Sequence, residues 1–206
     1  MRTLLQNGWL YDGTGAPARR GSLLIDGETI AAVDAPEGAQ ADLVLDCEGL
    51  AVAPGFIDSH SHNDWFACRP DPLPYFAPFL EQGIATQVAG NCGFSPFGWE
   101  ADTPHRSLIG SGLFSLLPDA PDVHDLPGFA AACGRPPVNL LPLYGHMSGR
   151  ISLAGYDPRP LTAEELDRLD DLMASALEAG AGGISLGLMY EPDRYAPYEE
   201  LRRAAR

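Results

Sequence analysis

Two histidines separated by a single residue, His60 and His62, have the residue type and the spacing of a shared metal site. They follow Phe56 and Ile57, which are typical of the body of a short buried strand. Residues two apart on a strand point to the same face, so both imidazoles would aim at one point. Neutral histidine nitrogen is a common zinc ligand. The alternative is a surface turn that carries two unrelated histidines, because so short a motif also occurs by chance.

The residues around the histidine pair favour the metal interpretation. Pro54-Gly55 breaks the preceding segment, and Asp58 offers a carboxylate that could orient a ligand. The stretch APGFIDSHSH, at 53–62, together with the Gly-Asn-Cys-Gly element at 90–93, resembles the amidohydrolase superfamily. Within that superfamily the sequence resembles the D-aminoacylases, which are N-acyl-D-amino-acid deacylases, over the whole length of the chain.

The first part of the chain, residues 1–54, has the short patterns of β-strands. GSLLIDGETIAAV predicts a hairpin whose Asp26-Gly27 turn suits positive φ angles. Strands are also predicted in LLQNGWL and in ADLVLDCEGLAVAPG. So short a run of hairpins buries too little core to fold alone. The resemblance implies that the segment is part of a small β-sandwich domain, completed by strands from the far C-terminus of the enzyme.

From residue 55 onwards, strands alternate with helices, which predicts an α/β fold with parallel strands. Four strands are predicted, in FIDSH, IATQVAGNCG, VNLLPLYGHMSG and GGISLGLMY. The clearest helix follows Thr162, which forms a capping box with Glu165, and it ends at Gly180. Residues 95–135 are rich in Pro and Gly, and they predict an irregular insertion with one or two short helices.

About four βα units make half of a (β/α)8 TIM-like barrel, which needs about 250 residues by itself. We therefore expect residues 55–206 to be the N-terminal half of a metal-dependent amidohydrolase barrel, and the chain to be the N-terminal part of a longer enzyme. Four strands alone would leave exposed parallel edges. The expected partner is the missing C-terminal half of the barrel or a self-associated copy of the chain.

Cys92 distinguishes between kinds of metal centre. Many two-metal amidohydrolases bridge their metals with a carboxylated lysine, and this chain contains no lysine, since all 13 of its basic residues are arginine. A thiolate suits zinc as a soft ligand, and the metal lowers the pKa of the thiol. The resemblance implies that Cys92 is a metal ligand together with the histidine pair. The alternative, a buried structural cysteine, fits Cys47, Cys68 and Cys133 better.

Residues at the other predicted strand ends could act on a substrate. Tyr190 matches a family element in which a tyrosine polarises the scissile carbonyl or stabilises its oxyanion; the alternative is a packing role. His146 could bind substrate or support its neighbours, and Arg150 could bind a substrate carboxylate or lie exposed. Asp64 could orient a metal ligand. The family's two further metal histidines and its general-base aspartate, on strands 5, 6 and 8, cannot be assigned to residues of this chain.

Composition disfavours several other functions. The 206 residues carry 28 acidic and 13 basic side chains, a net charge of −15, whereas nucleic-acid binders need a basic face. No stretch approaches the ~18 apolar residues of a membrane span, and the first residues do not resemble a signal peptide. The four cysteines have no C-x-x-C spacing, which argues against a zinc knuckle or a disulfide scaffold. We expect a cytoplasmic protein with reduced thiols.

The resemblance implies a zinc-dependent hydrolase that cleaves the amide bond of small-molecule N-acyl-D-amino acids, with one or two Zn2+ ions in the intact enzyme. The isolated chain is expected to bind zinc weakly or not at all and to be inactive alone. Two alternatives remain. One is a cyclic-amide hydrolase of the dihydroorotase or hydantoinase kind, which the absence of lysine disfavours. The other is a non-catalytic half-barrel that acts as an interaction module.

Overall fold

The computed structural model describes residues 1–36, 38–110 and 123–206. The chain divides into two compact units, Met1–Gly55 and Phe56–Arg206. Helices and strands in both parallel and antiparallel pairs are present, so the predicted α/β class is confirmed. No helix within the described ranges is long and apolar enough to cross a membrane.

The first unit contains a five-stranded sheet. Its strands are β1 (Arg2–Leu10), β2 (Arg19–Asp26), β3 (Thr29–Val33), β4 (Leu43–Asp46) and β5 (Ala51–Val52). The order is β3-β2-β1-β4, with β5 also pairing with β1, and β4 and β5 are parallel to β1. Gly27, with a φ of 60°, makes the predicted turn of the antiparallel β2–β3 hairpin. The strands predicted here are confirmed, while their membership of a β-sandwich stays a prediction.

The second unit alternates strands with helices. Its strands are β6 (Phe56–Asp58), β7 (Ile84–Ala89), β8 (Asn139–Pro142), β9 (Tyr144–Gly145) and β10 (Ile184–Ser185). Its helices are α1 (Asp64–Ala67), α2 (Leu73–Leu80), α3 (Leu126–Cys133), α4 (His146–Ala154), α5 (Ala163–Glu178) and α6 (Tyr198–Ala204). The strands β6-β7-β8 pair in that order, and β9 pairs with β10; every one of these pairs is parallel.

Helix α5 begins and ends as predicted. Thr162 Oγ1 accepts a hydrogen bond from the Glu165 N–H (3.2 Å), and Glu165 Oε2 accepts one from the Thr162 N–H (2.7 Å). Gly180, with a φ of 103°, follows its end. The apolar stripe of the helix contributes three residues to the main core, Leu169, Met173 and Ala176. Tyr144 of β9 lies in the same core, so α5 supports the strand that leads into α4.

Strand β6 is less buried than the sequence predicts. Phe56 and Ile57 are 65% and 69% exposed, so the prediction of a buried strand is wrong. Among the described residues, β6 pairs only with β7 and therefore forms an edge of the three-stranded sheet.

The two later strands are shorter than predicted. The third ends at Gly145, because the residues from His146 onwards form helix α4. The fourth is only Ile184–Ser185, because the chain then turns, with the Tyr190 N–H donating to the Gly187 carbonyl oxygen (2.7 Å). As a result, His146 is the first residue of helix α4, and Tyr190 lies in the turn after β10.

The predicted insertion at 95–135 is described except for residues 111–122, which lie outside the described ranges. Its described part contains a 3-10 turn at Arg106–Leu108 and helix α3. Asp125 caps α3, since its Oδ1 accepts a hydrogen bond from the Gly128 N–H (2.8 Å).

Candidate metal centre

His60, His62 and Cys92 lie close together in the second unit. One side-chain ligand atom from each residue lies within 4.8 Å of those of the other two. The Cys92 Sγ is 3.3 Å from Nε2 of His60, and the two imidazole rings meet edge to face with centroids 5.5 Å apart. His60 is exposed, and the other two are half-buried. The structure therefore brings together the three residues predicted to bind a metal.

The three residues meet because each follows the carboxyl end of a parallel strand. Strand β6 ends at Asp58 and its neighbour β7 ends at Ala89. His60 and His62 lie in the loop after β6, and Cys92 lies in the loop after β7. Parallel neighbours release their loops at the same edge of a sheet, which is where α/β proteins bind ligands. Alternation along a strand is not the cause, because neither histidine lies within the strand.

Asn91 joins the two loops that carry the ligands. Its Nδ2 donates to the carbonyl oxygens of Ser61 (3.3 Å) and Val88 (2.9 Å). The Ser61 N–H also donates to the Val88 carbonyl oxygen (3.0 Å). Asp58 Oδ1 accepts from the N–H of His60 (3.0 Å), so this carboxylate holds the backbone of the first histidine. These bonds fix the backbone between the two histidines to the end of β7.

Cys92 has a left-handed backbone, with a φ of 56°, which is uncommon for a residue other than glycine. A Cβ atom on Gly90, whose φ is 81°, would collide with the carbonyl oxygen of Leu143. A Cβ atom on Gly187 would collide with the carbonyl oxygen of Cys92 itself. The tight turn predicted from the glycines of the Gly-Asn-Cys-Gly element is therefore confirmed. Such unusual backbone conformations cluster at functional sites.

Burial changes the acidity of two groups in this region. Burial, and then the neighbouring His60, lower the pKa of His62, which favours the neutral imidazole that binds metals. Asp64 is wholly buried, and burial raises its pKa to about 8, so the carboxyl group carries a proton at neutral pH. Its role in orienting a metal ligand stays a prediction.

Tyr190 lies in the turn after β10, where it is 39% exposed. Its ring is tilted against that of Phe94, with centroids 5.9 Å apart. Phe94 belongs to a small core cluster against which Cys92 also packs. Tyr190 thus makes the packing contact that the sequence left open, and its catalytic role stays a prediction.

His146 and Arg150 are completely buried in a cluster of charged side chains. His146 Nδ1 is 2.9 Å from Oδ1 of Asp193, and its Nε2 is 3.5 Å from Oε1 of Glu200. Arg150 Nε is 3.2 Å from the same Glu200 oxygen, and its NH2 group donates to the carbonyl oxygen of Arg159 (2.7 Å). The alternative that Arg150 lies exposed is therefore wrong, because these partners hold its guanidinium in the interior.

Asp193 connects this cluster to the turn that carries Tyr190. Its Oδ1 faces His146, while its Oδ2 accepts a hydrogen bond from the Gly187 N–H (3.0 Å). The Gly187 carbonyl oxygen in turn accepts from the Tyr190 N–H (2.7 Å). His146 therefore has the supporting position that the sequence offered as one alternative, and its contact with substrate stays a prediction.

Sequence reasoning missed Asn91, Asp193 and Glu200. Asn91 lies inside the Gly-Asn-Cys-Gly element, so the motif itself was the signal that could have identified it. Asp193 and Glu200 carried no signal, because nothing in their local sequence separates them from surface carboxylates.

Comparisons with known proteins identify relatives of this chain. The N-acyl-D-glutamate deacylase of Alcaligenes xylosoxydans xylosoxydans is 37% identical over 205 residues, which cover 98% of the chain and 40% of that protein. The D-aminoacylase of the same organism is 36% identical over 208 residues, which cover 98% and 41%. The chain is similar to D-aminoacylases over nearly its whole length. No family model matches it.

Solved structures of D-aminoacylases give the same result. A crystal structure of D-aminoacylase, reported as defining a novel subset of amidohydrolases, has a TM-score of 0.82 and 31% identity. The N-acyl-D-glutamate deacylase of Bordetella bronchiseptica, in complex with zinc and a phosphonate inhibitor, has a TM-score of 0.79 and 36% identity. Each comparison covers 98% of the chain and 42% of the other structure. The chain thus spans about two fifths of the length of its D-aminoacylase relatives.

The three converging side chains fit a zinc ion by their chemistry, and one pair of their ligand atoms has the spacing that the ion requires. Two imidazole nitrogens and one sulfur are donors that zinc prefers. Zinc–ligand distances of about 2.0–2.3 Å separate the ligand atoms on a tetrahedral ion by roughly 3.5 Å. The 3.3 Å between Cys92 Sγ and His60 Nε2 is already close to that separation.

Proposed function

We propose that the protein to which this chain belongs is a zinc-dependent hydrolase that cleaves the amide bond of N-acyl-D-amino acids. The observation that carries the proposal is the convergence of His60, His62 and Cys92 after neighbouring parallel strands. Residues 1–206 contain no lysine, so a carboxylated lysine could not come from this part of the protein, and Cys92 is the candidate that replaces it. The D-aminoacylase relatives support the substrate class, since two of them are deacylases of N-acyl-D-glutamate and N-acyl-D-aspartate.

In this proposal His60, His62 and Cys92 hold zinc, which when bound polarises the amide carbonyl and lowers the pKa of water. Tyr190 donates a hydrogen bond from its phenol to the carbonyl oxygen as negative charge develops there. Its partial exposure leaves the ring within reach of a substrate. Asp193, through the Gly187 N–H, keeps the Tyr190 turn in place.

We assign supporting roles to the two residues of α4. His146 holds Asp193, and Arg150 neutralises Glu200 in the same buried cluster. Contact between Arg150 and a substrate carboxylate would require its guanidinium to leave Glu200. That exchange would leave a buried carboxylate without its cation, which is costly.

We also propose that residues 1–54 contribute to a small β-sandwich and that residues 55–206 form part of a TIM-like barrel with an insertion near 95–135. The five-stranded sheet of the first unit is consistent with the sandwich. Consecutive parallel strands with helices between them support the barrel. The remaining strands would come from the rest of the enzyme or from a second copy of the chain.

The test is deacylation by the protein translated from the complete reading frame that contains these residues, purified and supplied with zinc. The substrates are N-acetyl-D-glutamate, N-acetyl-D-aspartate and a neutral N-acetyl-D-amino acid, and the readout is free amino acid. We expect activity that Cys92→Ala lowers by more than about 100-fold, because a zinc ligand is lost. The matched control, Cys47→Ala, alters a buried cysteine of the first unit and should keep the activity. Tyr190→Phe should lower kcat by about 100-fold or more while the zinc content stays unchanged.

The second candidate function is cyclic-amide hydrolysis. It is favoured by a partial match to the dihydroorotase of Bacillus subtilis, which is 36% identical over 62 residues, or 30% of the chain. Hydrolysis of dihydroorotate or a hydantoin by the zinc-loaded protein, with no release of amino acid from the acylated substrates, would overturn the deacylase proposal. Equal activity and zinc content in wild type and Cys92→Ala would remove Cys92 from the site.

A further inference from the structure

Cys68 and Cys133 are 65 positions apart in the sequence, but their sulfur atoms are only 2.6 Å apart. A disulfide bond is about 2.05 Å long, so the two sulfurs need to approach by only about 0.5 Å to bond. Cys68 is the residue that caps the carboxyl end of α1, and Cys133 is the last residue of α3. The pair therefore joins two helix ends that are distant in the chain.

The main core holds both helix ends in place. Ala67, next to Cys68, and Phe129, one turn before Cys133, are buried in the same cluster, and both cysteines pack against it. Cys68 Sγ is also 3.7 Å from the carbonyl oxygen of Phe129. Packing against this core thus keeps the two cysteines adjacent.

A metal ion does not account for the cysteine pair. Across the described ranges, the one group of three or more His, Cys, Asp or Glu side chains arranged to hold a metal is His60, His62 and Cys92. Two thiols alone leave a tetrahedral zinc site half empty. Both cysteines are partly exposed, so a small thiol reagent can reach them.

We propose that Cys68 and Cys133 form a reversible disulfide that ties α1 to α3. The oxidant is a low-molecular-weight disulfide such as glutathione disulfide. The Cys68 thiolate attacks one of its sulfurs, which forms a mixed disulfide and releases one glutathione thiolate. The Cys133 thiolate then attacks the Cys68 sulfur, which closes the protein disulfide and releases the second glutathione. The protein thiols lose two protons and two electrons, and glutathione disulfide takes up both.

The contact between the thiols supports this order of attack. The close contact between the two thiols lowers the pKa of Cys68 and raises the pKa of Cys133, which favours Cys68 as the attacking thiolate. Helix α1 begins at Asp64, two residues after His62. A disulfide would therefore anchor the far end of the helix that directly follows the histidine loop.

The test counts the thiols of residues 1–206 in the protein translated from the complete reading frame, after equilibration in glutathione buffers. Samples are quenched in acid, unfolded, alkylated with N-ethylmaleimide and analysed by peptide mass spectrometry. We expect four alkylated cysteines in this range of the reduced protein and two after oxidation, with a peptide that links Cys68 to Cys133. Cys68→Ser and Cys133→Ser should form no internal disulfide and should keep three thiols or carry one glutathione. Cys47→Ser, the matched control, should oxidise as wild type does.

The ease with which the disulfide forms shows whether the fold holds the two thiols in position to react. In the unfolded chain the long flexible loop gives an effective thiol concentration of about millimolar, whereas oriented groups reach far higher values. The folded chain should therefore become half oxidised at a glutathione disulfide level about 100-fold or more below that of the urea-unfolded chain. Four free thiols at every buffer ratio, a disulfide to Cys47 or Cys92, or equal midpoints for folded and unfolded chains would overturn the proposal.

Discussion

Replacing Asp193 by alanine should destabilise the second unit and disorder the turn that carries Tyr190. The carboxylate is completely buried and accepts two hydrogen bonds, from the Gly187 N–H (3.0 Å) and from His146 Nδ1 (2.9 Å). Alanine leaves both donors buried without an acceptor, at about 1–3 kcal/mol each. The loss of the Asp193 charge partly offsets this cost, because the Asp193 carboxylate disfavours the ionised form of Glu200. The expected loss of unfolding free energy is therefore about 2–5 kcal/mol.

Urea unfolding at neutral pH, followed by circular dichroism, measures this loss. The matched control is Asp157→Ala, which removes an exposed carboxylate that lies 3.7 Å from Arg159 and should change the unfolding free energy by less than about 0.5 kcal/mol. Asp193→Asn should fall between the two, because its amide oxygen can still accept from Gly187 while its NH2 group faces His146. A cost below about 1 kcal/mol for Asp193→Ala would refute the reasoning, since the buried bonds could then not be holding the turn.

Two further predictions concern the scaffold of the second unit. Hydrogen bonds from Arg159 lower the pKa of Glu165 from 4.5 to about 2, so their stabilisation is complete above about pH 4.5 and is lost as the pH falls towards 2. These hydrogen bonds contribute at most about 3 kcal/mol to the unfolding free energy, and about 1–2 kcal/mol once solvent screening of the 40% exposed Arg159 is included. Glu165→Gln should therefore lower the unfolding free energy at pH 7 and match wild type near pH 2; a difference that does not depend on pH would contradict this. Gly90→Ala should cost more than about 3 kcal/mol in thermal unfolding, because its Cβ would collide with the Leu143 carbonyl, whereas Gly27→Ala, with a similar φ and open space, should cost about 1 kcal/mol. Similar costs for the two glycines would refute the packing argument.

The metal centre was predictable from the sequence because its ligands follow strand ends. The order of the strands places the loop of His60 and His62 beside the loop of Cys92, and the glycines around Cys92 signal its tight turn. The capping box at Thr162 likewise predicted the start of α5. The capping box and the glycine turn are local signals, whereas the grouping of Cys92 with the two histidines came from the family resemblance.

The rest of the site depends on contacts between distant residues, which no local pattern encodes. His146 and Asp193 are 47 positions apart, and only the folded chain shows that they form a buried hydrogen bond. The absence of C-x-x-C spacing gave no sign of the pair Cys68 and Cys133 for the same reason, since 65 positions separate them. The start of α4 at His146 was also missed, because the polar and small residues there have no apolar stripe that predicts a helix.

The central claim is that Cys92 and the two histidines form one metal site, and cobalt titration of the protein translated from the complete reading frame tests it most directly. Cobalt(II) replaces zinc and gives a thiolate-to-metal charge-transfer absorption when a cysteine sulfur binds it. The titration uses the variant in which Cys68 and Cys133 are both serine, so that Cys47 and Cys92 are the remaining thiols of residues 1–206. We predict a charge-transfer band that saturates at high cobalt concentration, disappears in Cys92→Ala and weakens strongly when His60 and His62 are both replaced by alanine, but persists in Cys47→Ala. A band that survives Cys92→Ala, or no band at any cobalt concentration, would contradict the account.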